Sequence, residues 1–104
     1  MSEAKKNDAE KLRYDLIPPY ALEKLAEVYT IGAKKYGDQN WRKGFAWSRI
    51  IGAMMRHLEA FRRGESVDPD DGQHPLASVM WCAATLMEFE CFELGEDDRP
   101  NVSR

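Results

Sequence analysis

The two histidines and the carboxylates around them are the groups in this chain best suited to chemistry. His57 stands among apolar residues, three positions from Met54 and four from Phe61. A buried histidine with one hydrogen-bond partner is the plain reading; a pocket wall, metal ligand or proton acceptor is the functional one. His74 closes the stretch "RGESVDPDDGQH", which also holds Glu65, Asp68, Asp70 and Asp71. Oxygen ligands suit Mg2+ or Mn2+, so this run is a candidate cation site, although an isolated acidic run is more often a solvated loop. It does not match an EF-hand, because its glycine falls one position early.

A second group is cationic and aromatic. In "GAKKYGDQNW" (32–41), Lys34 and Lys35 precede a glycine turn, and Arg42 and Lys43 follow it. Tyr36 and Trp41 stand among these cations, with Asn40 beside them. Cations neutralise phosphates, an aromatic face stacks on a base, and an amide can donate to and accept from a base edge. This mixture suits a nucleotide. The simpler reading makes Trp41 a core residue and the lysines favourable charges at a helix C-terminus.

These groups must be positioned by helices. Pro19 at a first turn and Gly37 as a stop bound a helix over 19–36, with Leu22, Leu25, Tyr29, Gly32 and Tyr36 on one stripe. Ser48 as N-cap and Gly64 as stop predict a helix over 48–63, with the stripe Ile50, Met54, His57, Leu58 and Phe61. Glu59 and Arg56 lie off that stripe. A third helix runs over 75–93, from Pro75 to just before Gly95. Its Leu76, Val79, Met80, Ala83, Leu86 and Met87 form one side. His74, Ser78, Trp81, Thr85 and Glu88 recur at steps of four and three on the other. A helix apolar over most of its circumference is covered on more than one side. The expected fold is therefore an all-α helical bundle completed by oligomerisation, as a homodimer or homotetramer.

The length allows one domain, expected over 12–94, with residues 1–11 and 95–104 as mobile tails. Net charge −3 argues against a partner bound by blanket electrostatics, so no duplex nucleic acid is expected. No apolar run suggests a signal peptide or a membrane span, and Cys82 and Cys91 are too far apart along one helix, about 13 Å, to form an intrachain bridge. Both cysteines are expected to be reduced, buried thiols of a cytoplasmic protein, in the host cytoplasm if phage-encoded.

Taken in order, "KLRYDLIPP", "GAKKYGDQNW", "WSRIIGAMMRHLEAFRRGESVD" and "HPLASVMWCA" resemble the phage dATP/dGTP diphosphohydrolases, MazG-like all-α nucleoside triphosphate pyrophosphohydrolases that include the MazZ-like enzymes. The resemblance covers about residues 11 to 90. It implies a purine deoxynucleoside triphosphate, most often dGTP, hydrolysed between the α- and β-phosphates with Mg2+ or Mn2+, in phages that carry 2-aminoadenine in their DNA. The superfamily's EExxE and ExxD metal motifs are replaced here by "RHLEA" and "HPLAS". The resulting expectation makes His57 and Glu59 catalytic and Glu59, Glu65 and Asp68 metal ligands. Lys34, Lys35, Tyr36, Asn40, Trp41, Arg56 and His74 are expected to bind substrate, with Glu27 reaching across an interface. An HD-type phosphohydrolase is excluded by the absence of an adjacent His-Asp pair. A small helical phage regulator without catalysis is the alternative from another class.

Overall fold

The computed structural model describes residues 4–101; the expected tail residues 1–3 and 102–104 lie outside the described residues. Three helices carry the fold: α1 (Pro19–Tyr36), α2 (Trp47–Arg62) and α3 (Pro75–Phe92). Short 3-10 turns occupy Tyr14–Leu16 and Asn40–Lys43. The described residues contain no strand, only one isolated parallel bridge between Ala46 and Glu96, so the all-α expectation holds. None of their helices is long and apolar enough to cross a membrane.

Local signals explain the ends of α1 and α3. Pro19 lacks the N–H that a first turn leaves unpaired. Gly37 ends α1 at φ 95°, its N–H donating to the Ala33 carbonyl at 2.8 Å. Pro75 opens α3, and His74 caps it: its Nδ1 accepts from the Leu76 N–H at 3.0 Å.

The start of α2 differs from the expectation. Ser48 is inside the helix, and Ala46 is the flanking residue without a side-chain cap. The cap comes from fifty residues away. Asp98 Oδ1 accepts from the Ser48 N–H at 2.8 Å, and the Ser48 hydroxyl also bonds that carboxylate. A carboxylate there satisfies an orphan donor and complements the positive end of the helix. It is delivered by residues 95–99, which the sequence reading assigned to a mobile tail. Glu96 donates to the Phe45 carbonyl at 3.1 Å and accepts from the Trp47 N–H at 2.9 Å. The Trp47 indole donates to the Leu94 carbonyl at 2.9 Å, and the Arg99 guanidinium lies 4.9 Å from the Trp47 ring centre. This strap approaches so closely that only glycine fits. A Cβ at Gly44 would stand 2.6 Å from the Gly95 nitrogen, and one at Gly95 would stand 2.2 Å from the Phe45 carbonyl oxygen.

α3 is central and packs on both other helices. The core is Trp47, Ile50, Cys82 and Phe89, flanked by Trp41, Phe45, Met54 and Leu86. The structure fixes the orientation of α3, which the sequence left open. The buried face is made by Ser78, Cys82, Thr85 and Phe89, the last two completely covered, while Ala83 is exposed and Met87 is 72% exposed. A helix apolar nearly all round has no strong rotational preference of its own. In the observed rotation Phe89 and Cys82 join the core, and the Tyr29 hydroxyl on α1 hydrogen-bonds the Thr85 hydroxyl at 2.8 Å and so satisfies a buried polar group.

Burial is thin elsewhere. No residue of α1 is fully buried. Leu12, Tyr14, Leu16, Met55, Met87 and Phe92 are all exposed. The radius of gyration is 17.4 Å, against about 13 Å for a compact chain of this length.

Candidate functional site

The reversal after α1 is built from backbone conformations few residues adopt. Gly37 has φ 95°, Gln39 is left-handed at φ 55°, and Gly44 closes the 3-10 turn at φ 93°. Only glycine takes such values without steric cost. The turn points Trp41 inward and leaves Arg42 at the surface. Trp41 meets Tyr29 edge-on at 5.8 Å and Phe89 at 6.4 Å. Its ring is also covered by the Arg42 guanidinium at 4.4 Å. Trp41 thus belongs to the aromatic layer that joins the turn to the core, as the simpler sequence reading had it. Tyr36, 67% exposed at the rim, is the aromatic ring left open to a ligand.

Between α1, this turn and the α2–α3 pair lies a cleft of about 990 Å3. That is the size of a small-molecule site. Lys35, Tyr36, Asn40, Trp41 and His57, five of the expected site residues, line it. Arg42, Tyr29, Asp71, Ser78 and Trp81 line it as well. Tyr29 and Trp81 stand 5.8 Å apart, so one wall is aromatic. Burial pushes the Tyr29 phenol up, partly offset by its bond to Thr85, which keeps it in the donating form. Cys82 lies at the floor, its thiol pushed up to about 11 by burial and therefore inert.

His57 is backed by Asp68. The Nδ1–Oδ2 separation is 4.0 Å, both side chains being largely covered. Asp68 is fixed by its own loop. Its Oδ1 accepts from the Asp70 N–H at 2.7 Å, its carbonyl accepts from Gly72, and its N–H donates to the Gln73 carbonyl at 2.8 Å. Asp71 Oδ1 accepts from the Gln73 N–H at 2.9 Å. The acidic run is therefore an ordered turn with one carboxylate oxygen facing His57.

The other expected residues are placed elsewhere. Glu59 is held by a two-pronged pair with Arg62 at 2.9 and 2.7 Å, in solvent, and that pair lowers its carboxyl from the ordinary range. Glu65 pairs with Arg63 at 3.4 Å. Among the described residues, no three His, Cys, Asp or Glu side chains are grouped to hold a metal ion, so one protomer does not bring Glu59, Glu65 and Asp68 together. His74 serves as the α3 cap, its ring 5.7 Å from Phe61. Arg56 is exposed on α2, outside the cleft lining. Lys34, one residue before Lys35, lies on the far side of α1, in a shallower groove of about 360 Å3 with Glu23 and Glu27; Glu27 pairs there with Lys24 at 3.3 Å. Successive helical residues point 100° apart, and that step turns Lys34 to one groove and Lys35 to the other. The residues missed from sequence had signals: the 3-and-4 spacing of Ser78, Trp81, Thr85 and Glu88 marked that face of α3, and Tyr29 stood on the α1 stripe.

The family described as "dATP/dGTP diphosphohydrolase, N-terminal" matches residues 1–99. A dATP/dGTP diphosphohydrolase of Salmonella phage PMBT28 is 35% identical over 72 residues, 69% of this chain and 24% of that protein. The chain thus spans 24% of the length of that curated relative. No solved structure matches the chain. With its own cleft motifs inside the matched span, the chain belongs to the dATP/dGTP diphosphohydrolase N-terminal family.

Proposed function

We propose that this chain binds a purine deoxynucleoside triphosphate, dGTP foremost, and hydrolyses it between the α- and β-phosphates to the monophosphate and pyrophosphate. The observation that carries this reading is the cleft. It places a cation (Lys35), an open aromatic ring (Tyr36), an amide (Asn40) and a carboxylate-backed imidazole (His57) around one volume. In that reading Lys35 neutralises phosphate charge, Tyr36 covers the base or sugar, and Asn40 meets a polar edge. His57 takes a proton from water as the oxygen attacks the α-phosphorus and the bond to the bridging oxygen breaks, releasing pyrophosphate. Asp68 orients the ring and stabilises the imidazolium. Their 4.0 Å separation is long for a hydrogen bond, as is common before a substrate tightens a site.

Dependence on Mg2+ or Mn2+ is part of the proposal, following the family. Among the described residues of one chain, no group of side chains completes a site for the ion. Self-association into a homodimer or homotetramer is proposed from the exposed Ala83–Met87 face of α3 and the exposed Leu12–Leu16 segment. A role in supplying precursors for phage 2-aminoadenine DNA follows if dGTP is the substrate. The test is product analysis: dGTP and dATP are incubated with the chain and Mg2+, Mn2+ or EDTA, and products are separated by anion exchange. Deoxynucleoside monophosphate and pyrophosphate are expected only with the ion. Deoxynucleoside plus intact triphosphate, or no turnover with any purine nucleotide, overturns the reading.

A further inference from the structure

Arg42 is the most rigidly presented cation of the cleft. Its guanidinium lies over the Trp41 ring at 4.4 Å. Its Nε–H donates to Gln39 Oε1, and Gln39 is held in a left-handed conformation at the start of the turn. These contacts fix the plane of the guanidinium while using one of its five donors. The Nη groups make no hydrogen bond among the described residues. They face Glu88 of α3 at 3.7 Å, an ionic contact too long to be a hydrogen bond, between side chains 46% and 41% exposed. A pair of that kind contributes little. Lys35, by comparison, is an exposed point charge with no partner orienting it among the described residues.

We propose that Arg42 receives the polyphosphate of the ligand, and that Glu88 is its resident counter-ion, exchanged for phosphate when the ligand arrives. This rests on the reading of the cleft as a nucleotide site. The chemistry favours the exchange. A guanidinium fork matches two phosphate oxygens, and charge-assisted bidentate bonds are much stronger than a 3.7 Å exposed ion pair. The stack on Trp41 and the bond to Gln39 mean little side-chain freedom is lost on binding. Glu88 adds selectivity: a ligand with one weak negative charge does not outcompete it, whereas a polyphosphate does.

The experiment is calorimetric titration of the chain with inorganic tripolyphosphate, which carries the charge without base or sugar, in metal-free buffer at low salt. Arg42→Ala is expected to weaken binding about tenfold or more, and Arg42→Lys to fall between, since the point charge remains but the fork is lost. Glu88→Gln is expected to tighten binding about two- to fivefold, an effect of opposite sign that loss of structure cannot produce. Lys11→Ala, which removes a cation outside the cleft, sets the size of the general charge effect. Wild-type affinity in Arg42→Ala, weakened or unchanged affinity in Glu88→Gln, or no binding by the wild type overturns the proposal. If Arg42→Ala fails to fold, Glu88→Gln alone decides. The parent reading fails separately: Arg42-dependent binding without hydrolysis of any nucleotide leaves this inference and removes catalysis. Hydrolysis with normal KM in Arg42→Ala does the reverse.

Discussion

Replacing Gly95 with alanine tests how the cleft turn is braced. Gly95 has φ +69°, and an added Cβ would stand 2.2 Å from the Phe45 carbonyl oxygen and 3.0 Å from its nitrogen. Both are backbone atoms, so no side chain can swing away. Gly72 is the control: its φ is +74°, and a Cβ there meets nothing within 4 Å. The left-handed conformation costs an L-residue about 1–2 kcal/mol at either position. Only Gly95 adds the clash. Relief requires the strap to move, breaking the Glu96-to-Phe45 and Trp47-to-Glu96 bonds at 3.1 and 2.9 Å and pulling Asp98 from the α2 N-terminus. At about 1 kcal/mol for each bond and about 1 for the cap, detachment limits the extra loss to roughly 3 kcal/mol. Gly95→Ala is therefore expected to lose about 4–5 kcal/mol and Gly72→Ala about 1–2 kcal/mol in urea unfolding followed by circular dichroism. The thermal midpoints should differ by roughly 12 °C or more. Hydrogen exchange at the Trp47 and Ser48 amides should accelerate in the first variant only. Equal losses in the two variants would refute the docked strap.

Cys82 and Cys91 should differ in reactivity. With the Cys82 thiol raised to about 11, its reactive thiolate is scarce at pH 8, so a disulfide reagent should titrate one thiol, Cys91, in the native protein and two after unfolding; two fast native thiols would contradict the packing of α3. Trp41→Ala should lower stability by about 3 kcal/mol or more, because it removes the ring between Tyr29 and Phe89, while Tyr36→Ala should leave the thermal midpoint nearly unchanged. Light scattering should report a mass above the 12.0 kDa of one chain, and Met87→Glu should shift it to the monomer without abolishing helical content. A folded wild-type monomer at micromolar concentration would end the self-association proposal.

The parts of the fold set by local chemistry were legible. Pro19, Gly37 and Pro75 act within a turn of themselves, and the observed ends of α1 and the start of α3 coincide with them. The start of α2 was misplaced because its cap, Asp98, is near only in space. The rotation of α3 was not legible because a helix apolar all round carries no internal marker. The core packing of Cys82 and Phe89 and the Tyr29–Thr85 bond that go with it are contacts between distant residues. The "GAKKYGDQNW" stretch showed its glycine reversal and its mixture of cations, aromatic rings and an amide in the order of residues. The division of Lys34 from Lys35 and the anchoring of Trp41 needed the partner elements. The expected ligands Glu59 and Glu65 were spaced plausibly along the chain, but each has an arginine two or three residues away that captures it.

Binding of a non-hydrolysable α,β-methylene dGTP analogue, measured by titration against the wild type and against Lys35→Ala and Asn40→Ala, bears most directly on the cleft as a nucleotide site. Saturable binding by the wild type is expected, with Kd raised about tenfold in each variant and thermal midpoints unchanged, since both side chains line the cleft and neither belongs to the core. Absence of binding by the wild type, or wild-type Kd in both variants, would contradict the account.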